Sequence, residues 1–144
     1  MKRFLAVFVL VATACATVPP APQPVRVVLV GTTDVHGWFD GRVEDGVREG
    51  GVAILGSHVD ALRAASGGNV VLVDSGDMFQ GTLESNLFEG EPIIRAYNAL
   101  GYAAAAVGNH EFDYGPVGEG VIADDFGEDP LGALKRAAQM AEFP

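Results

Sequence analysis

Three apolar runs, each followed at once by polar and glycine residues, constrain the fold of this chain more than any other feature. The runs are "VRVVLVGTTD" (25–34), "NVVLVDSGD" (69–77) and "YAAAAVGNH" (102–110). The first two are near-continuous and rich in valine, which is typical of strands buried on both faces of a parallel sheet. The third is a weaker strand prediction, because alanine is a poor strand former.

The segments between these runs predict helices. Residues 50–68 place four apolar side chains at helical spacing, and a glycine pair follows that would end the helix. The four are Val52, Leu55, Val59 and Leu62, and the pair is Gly67 and Gly68. Residues 90–101 have Pro92 where a first helical turn accepts proline and Gly101 where a helix would stop. Strands that alternate with helices predict parallel pairing through crossover connections.

A last helix is predicted at residues 129–143, with Asp129 as its cap and Pro130 beginning the first turn. The fold class is therefore α/β. After this helix the pattern would call for another strand, and three strands with their helices make an incomplete sheet. We expect the chain to hold only part of a larger domain.

The first residues predict an export signal, which is to be excluded from the fold. Residues 1–15 carry Lys2 and Arg3, then an apolar stretch, then small residues before Cys15. The apolar and small run 4–18 is shorter than the about 20 residues that a bilayer span needs. The position of the cysteine resembles a bacterial lipoprotein signal, in which it becomes the lipidated first residue. The alternative is ordinary secretory cleavage beside Ala14, with the cysteine incidental.

The residues that follow, 16–24, read "ATVPPAPQP" and predict an extended proline-rich tether. They leave residues 25–144 as the folded part. The net charge of −10 argues against a nucleic-acid polymer as partner, because such partners require clustered lysine and arginine. A single cysteine excludes a disulfide within the chain.

Polar side chains follow each apolar run where the predicted strand ends. In open α/β sheets, loops at the carboxyl ends of the strands converge into sites. Asp34, His36, Asp77, Asn109 and His110 would therefore arrive at one edge of the sheet from three elements. Carboxylate, imidazole and amide groups together suit divalent Mn, Fe, Zn or Mg ions.

The three motifs in this order, "TDVHG", "SGDMFQGT" and "GNHEFDYG", resemble the calcineurin-like metallophosphoesterases. The second and third motifs point to the branch of 5′-nucleotidases and UDP-sugar hydrolases. The resemblance covers roughly residues 26–115. It implies that 25–144 forms the N-terminal part of a metallophosphoesterase β-sandwich flanked by helices. It also implies an exported hydrolase of the cell envelope that acts on nucleotides or related phosphate esters.

The resemblance implies two divalent metal ions and assigns four ligands among the residues of this chain. Asp34 and His36 correspond to ligands of one metal, Asp77 to the carboxylate that bridges both, and Asn109 to a ligand of the second. Such a pair can activate water and polarise a phosphoryl oxygen.

His110 corresponds to the catalytic histidine of the family, with Asp113 as the carboxylate that orients it. Glu111 has no ligand role in the family, and a structural hydrogen bond is the expectation there.

The family completes its metal sites with later histidines, whereas this chain has three histidines in all. Two alternatives therefore stay open. The chain could be a truncated, catalytically inactive fragment, or a phosphodiesterase of the same fold with another substrate.

Overall fold

The computed structural model describes residues 22–118, 120, 122–123 and 127–144. The predicted export signal, Cys15 and tether residues 16–21 lie outside the described residues. Tether residues 22–24 are exposed and have no regular secondary structure. Among the described residues, no helix combines the length and apolar character needed to cross a membrane.

Strands and helices alternate through the described chain. The strands are β1 (Val28–Thr32), β2 (Arg42–Glu44), β3 (Val47–Glu49), β4 (Val70–Asp74) and β5 (Ala104–Ala105). The helices are α1 (Val52–Ala65), α2 (Leu83–Leu87), α3 (Glu91–Leu100) and α4 (Gly132–Met140), and a 3₁₀ turn spans His110–Phe112.

The main sheet has the strand order β1-β4-β5. β1 and β4 are parallel, with Thr32 opposite Asp74, and β4 and β5 are parallel, with Asp74 opposite Ala105. The predicted parallel pairing is therefore confirmed. The third strand is shorter than its sequence run, although the Ala106 N–H still donates to the Asp74 carbonyl at 2.9 Å. All three strands end at the same edge of the sheet.

Only one face of this sheet is buried within the described residues. Val30 and Leu72 point to the core and pack with α1 and α3. On the other face, Leu29 is 70% exposed and Val71 is 36% exposed. The expectation that these strands are buried on both faces is wrong for the described residues, because none of their elements covers the second face.

Helices α1 and α3 confirm the predictions made for residues 50–68 and 90–101. Val59 of α1 is fully buried. Helix α3 carries Pro92 in its first turn and ends at Gly101, which has the left-handed conformation that favours glycine (φ 70°). A proline in the first turn and a left-handed glycine after the last turn therefore mark the two ends of α3.

Helix α4 begins later than predicted, and Asp129 is not its cap. The N-cap is Leu131, and no side chain in the described part of the chain caps the helix. The Asp129 carboxylate instead accepts a hydrogen bond from the Leu131 N–H at 3.0 Å. Asp129 and Pro130 thus form a turn that precedes the helix.

The hairpin of β2 and β3 and the helix α2 were not predicted. β2 and β3 form an antiparallel hairpin whose turn residues, Asp45 and Gly46, both have positive φ (51° and 78°). An Asp-Gly pair is a strong hairpin signal. Helix α2 is capped by Thr82, whose hydroxyl accepts a hydrogen bond from the Ser85 N–H at 3.3 Å.

Candidate functional site

Three loops meet at the carboxyl edge of the sheet. The first loop (33–38) follows β1, the second loop (75–82) follows β4, and the third loop (106–109) follows β5. Backbone hydrogen bonds join the first two: the N–H of Asp34 donates to the Gly76 carbonyl at 3.1 Å, and that of His36 to the Asp77 carbonyl at 3.0 Å. The first loop is therefore fixed against the second.

Three of the predicted ligands adopt an unusual backbone conformation. Asp34, His36 and Asp77 have φ values of 53°, 47° and 57°. The left-handed region costs an L-residue roughly 1–2 kcal/mol, and such residues cluster at functional sites. The surrounding contacts must hold this geometry in place.

The side chains of His36, Asp77 and His110 converge. Their ligand atoms all lie within 4.8 Å of one another. The two imidazole rings meet edge to face, with centroids 5.0 Å apart and planes at 74°. Two imidazoles and a carboxylate form a mixed nitrogen and oxygen set, and these donors suit a divalent transition metal.

The other two predicted ligands lie at the margin of this group. Asp34 is exposed; its carboxylate lies 3.7 Å from His36 Nε2 and accepts a hydrogen bond from the Thr33 hydroxyl. Asn109 is exposed as well and directly precedes the 3₁₀ turn that carries His110. The structure thus brings all five predicted ligand and catalytic positions of the strand ends to one edge.

His110 is paired with Asp113, as expected. Its Nδ1 lies 2.5 Å from Asp113 Oδ2. Because a carboxylate only accepts, Nδ1 is the donor of this pair, and Nε2 is the ring nitrogen that Asp113 leaves free. The hydrogen bond to Asp113 raises the pKa of the His110 imidazole above its usual value.

Glu111 is buried and only 1% exposed. Its carboxylate accepts four backbone hydrogen bonds, from the N–H groups of Asp77 (2.9 Å), Met78 (2.8 Å), Phe79 (3.1 Å) and Gly108 (2.6 Å). The expected structural hydrogen bond is confirmed. Sequence reasoning gave no indication that this one side chain joins the second loop to the third.

Asp74, at the end of β4, was missed by sequence reasoning. It is buried and accepts hydrogen bonds from the hydroxyl groups of Thr32 (2.5 Å) and Tyr97 (2.7 Å) and from the N–H of Gly76 (2.7 Å). Burial raises the pKa of the Tyr97 hydroxyl, and the Tyr97 ring stacks on Tyr102 with centroids 3.8 Å apart. A carboxylate inside an apolar strand end was the available signal, because buried carboxylates need partners.

Residues 27–135 match the model of the calcineurin-like phosphoesterases. The chain belongs to this family. The predicted family and fold class are thereby confirmed, and members of the family use divalent metals.

Three relatives show how far this similarity extends. The chain is 36% identical to "Silent protein UshA(0)" of Salmonella typhimurium, over 100% of this chain and 24% of that protein. It is 39% identical to a 5′-nucleotidase of Bos taurus, over 69% of this chain and 18% of that protein. The solved 5′-nucleotidase precursor from Thermus thermophilus superimposes with a TM-score of 0.62 and 32% identity, over 81% of this chain and 21% of that chain. The chain therefore spans about a quarter or less of the length of these relatives.

Proposed function

We propose that the protein is an exported phosphoesterase that uses two divalent metal ions to hydrolyse nucleotides or related phosphate esters. The observation that carries the proposal is the convergence of His36, Asp77 and His110 from three loops, with ligand atoms within 4.8 Å of one another. Backbone strain at His36 and Asp77 supports it, because such strain concentrates at functional sites.

Four residues would hold the metals: Asp34 and His36 the first, Asn109 the second, and Asp77 both. Bound there, two divalent ions would supply positive charge that activates water and polarises a phosphoryl oxygen. Mn, Zn, Fe and Mg all accept ligands of this mixed kind. The Asp77 carboxylate would have the central place in this arrangement. Its loop is joined to the first loop by backbone hydrogen bonds and to the third loop through Glu111, which supports the proposal.

His110 would act on the substrate through Nε2, the ring nitrogen that Asp113 leaves free. Asp113 fixes the tautomer and the orientation of the ring through the 2.5 Å contact at Nδ1. When Nε2 is protonated as well, the imidazolium could stabilise charge on the phosphate and protonate the leaving oxygen.

A nucleotide substrate is proposed because relatives named 5′-nucleotidases share 32–39% of aligned residues with this chain. A phosphodiester is the alternative substrate. The two are separated by assaying AMP, a UDP-sugar and a chromogenic phosphodiester in parallel. Turnover of none of them, with metals bound, would favour the inactive fragment.

The test of this function replaces Asp77 by Asn in the protein expressed from its complete gene. A neutral amide is a weaker bridging ligand and leaves the repulsion between the two metals poorly offset. We expect most of the activity to be lost together with bound metal. The matched control is Asp60→Asn, because Asp60 lies on α1, is exposed and forms an ion pair with Arg63 of the same helix. Normal turnover by Asp77→Asn with both metals retained would contradict the bridging role.

The location is proposed from residues 1–15 alone. The charged start, the short apolar run and Cys15 directly after small residues support export to the cell envelope and attachment through lipid on that cysteine.

A further inference from the structure

We propose that Glu111 is a positioning residue that sets the Asp77 carboxylate between the two metal sites. The inference rests on the proposed function and deepens it, since the four assigned ligands do not include Glu111. Its role would be carried entirely by the backbone groups that it binds.

The two oxygens of Glu111 divide their hydrogen bonds in a way that joins two loops. Oε2 accepts from the N–H of Asp77 in the second loop and from the N–H of Gly108 in the third. Oε1 accepts from the next two N–H groups of the second loop, those of Met78 and Phe79. With Glu111 1% exposed, water does not compete for these donors.

These hydrogen bonds help to hold the backbone conformation of Asp77. Its backbone is in the left-handed region at φ 57°, a conformation that needs outside support. Its N–H is held by Glu111, and its own Oδ1 accepts from the His110 N–H at 3.0 Å. Asp77 is thus held by its backbone N–H through Glu111 and by its carboxylate through the N–H of His110.

Replacement by glutamine tests this geometry with little change in volume. The amide offers one acceptor oxygen and two N–H donors where the carboxylate offered two acceptors. Glu111→Gln therefore has to face either the Asp77 and Gly108 N–H groups or the Met78 and Phe79 N–H groups with a donor. In either orientation two backbone donors lose their partner and face an N–H group, which weakens the junction between the second loop and the third.

The experiment compares the full-length protein with Glu111→Gln, Glu111→Asp and Asn98→Ala. Asn98 is the control, because its side chain makes two hydrogen bonds to residues 140 and 142, which lie outside the three loops. Hydrogen exchange of the metal-free proteins is measured first, at the amides of residues 77–79 and 108. Mn²⁺ is then titrated and followed by electron paramagnetic resonance, in which a coupled metal pair differs from isolated ions.

We expect Glu111→Gln to exchange faster at those amides and to bind Mn²⁺ about 10–100-fold more weakly as a coupled pair, the usual cost of removing a residue that supports ligands. Glu111→Asp should show the same loss, because its carboxylate is one methylene too short to reach both loops. Asn98→Ala should keep both properties.

Wild-type exchange and a wild-type coupled signal in either Glu111 variant would overturn the proposal, as would an equal loss in Asn98→Ala. If Glu111→Gln fails to fold, Glu111→Asp decides the question by the same two measurements. Wild-type protein without a coupled pair would instead contradict the proposed function, and the inference with it.

Discussion

Gly108 is the position where a single methyl group should damage the site most selectively. It has no side chain, and the second loop passes directly beside it. A Cβ built there would lie 2.3 Å from Asp77 Oδ1 and 2.5 Å from the Asp77 backbone nitrogen. Its φ is not in the left-handed region, so the effect of Gly108→Ala is steric and not conformational.

The expected magnitude follows from these two distances. Favourable contacts between such atoms begin near about 3.5 Å, so Asp77 and the third loop would have to separate by roughly 1 Å. Overpacking of this kind costs about 1–3 kcal/mol of folding stability. A displacement of about 1 Å at reacting groups can cost on the order of 100-fold in rate. We therefore expect a modest loss of stability and a large loss of kcat.

The assay measures urea unfolding and AMP hydrolysis for Gly108→Ala and for a control, Gly31→Ala. Gly31 lies in β1 and has no positive φ, and no atom of the described residues lies within 4 Å of a Cβ built there. Gly31→Ala should leave the free energy of unfolding unchanged or raise it slightly, and it should hydrolyse AMP at the wild-type rate. Full activity in Gly108→Ala, or equal losses in both variants, would refute the close approach of the two loops.

Three further expectations address other parts of the chain. Tyr97→Phe removes a buried hydrogen bond to a carboxylate and should lower the free energy of unfolding by about 1.5–3 kcal/mol; an unchanged urea midpoint would contradict the Asp74 network. Cys15→Ser should move the protein from the membrane fraction to the soluble fraction, and equal partitioning of variant and wild type would contradict lipidation. The hydrogen bond from Lys135 lowers the pKa of Asp129. The contribution of this pair to folding stability is therefore present above the ordinary Asp pKa and is lost as the pH falls through the lowered pKa. An NMR titration should show this pKa rise toward normal in Lys135→Met; an unchanged pKa would refute the pairing.

The parts of the fold that were predictable are those set by local chemistry. Pro92 and Gly101 marked the ends of α3 because proline suits a first turn and glycine suits a left-handed stop. The prediction that Asp129 caps α4 was wrong, because an aspartate carboxylate can cap a helix or close a turn. Here it accepts a hydrogen bond from the N–H of Leu131, two residues later. Burial of both faces of β1 was wrong for the described residues, because valine content reports strand preference and not what packs on each face.

The positions of the candidate site residues were also predictable from local sequence. The carboxyl ends of parallel strands lie at one edge of a sheet. Residues that follow the predicted strands could therefore be assigned to that edge: Asp34, His36, Asp77, Asn109 and His110.

The supports of the site were not predictable, because they are contacts across the chain. Glu111 bonds the N–H of Asp77, 34 positions earlier, and Asp74 bonds Tyr97, 23 positions later. No local pattern specifies such partners, which depend on how the loops pack.

Anomalous diffraction from crystals of the full-length protein soaked in Mn²⁺ tests the central claim most directly. Two peaks about 3.5–4 Å apart are predicted, with Asp77 between them, His36 beside one and Asn109 beside the other. Peaks absent from the three loops, or a single ion that Asp77 does not contact, would contradict the two-metal site.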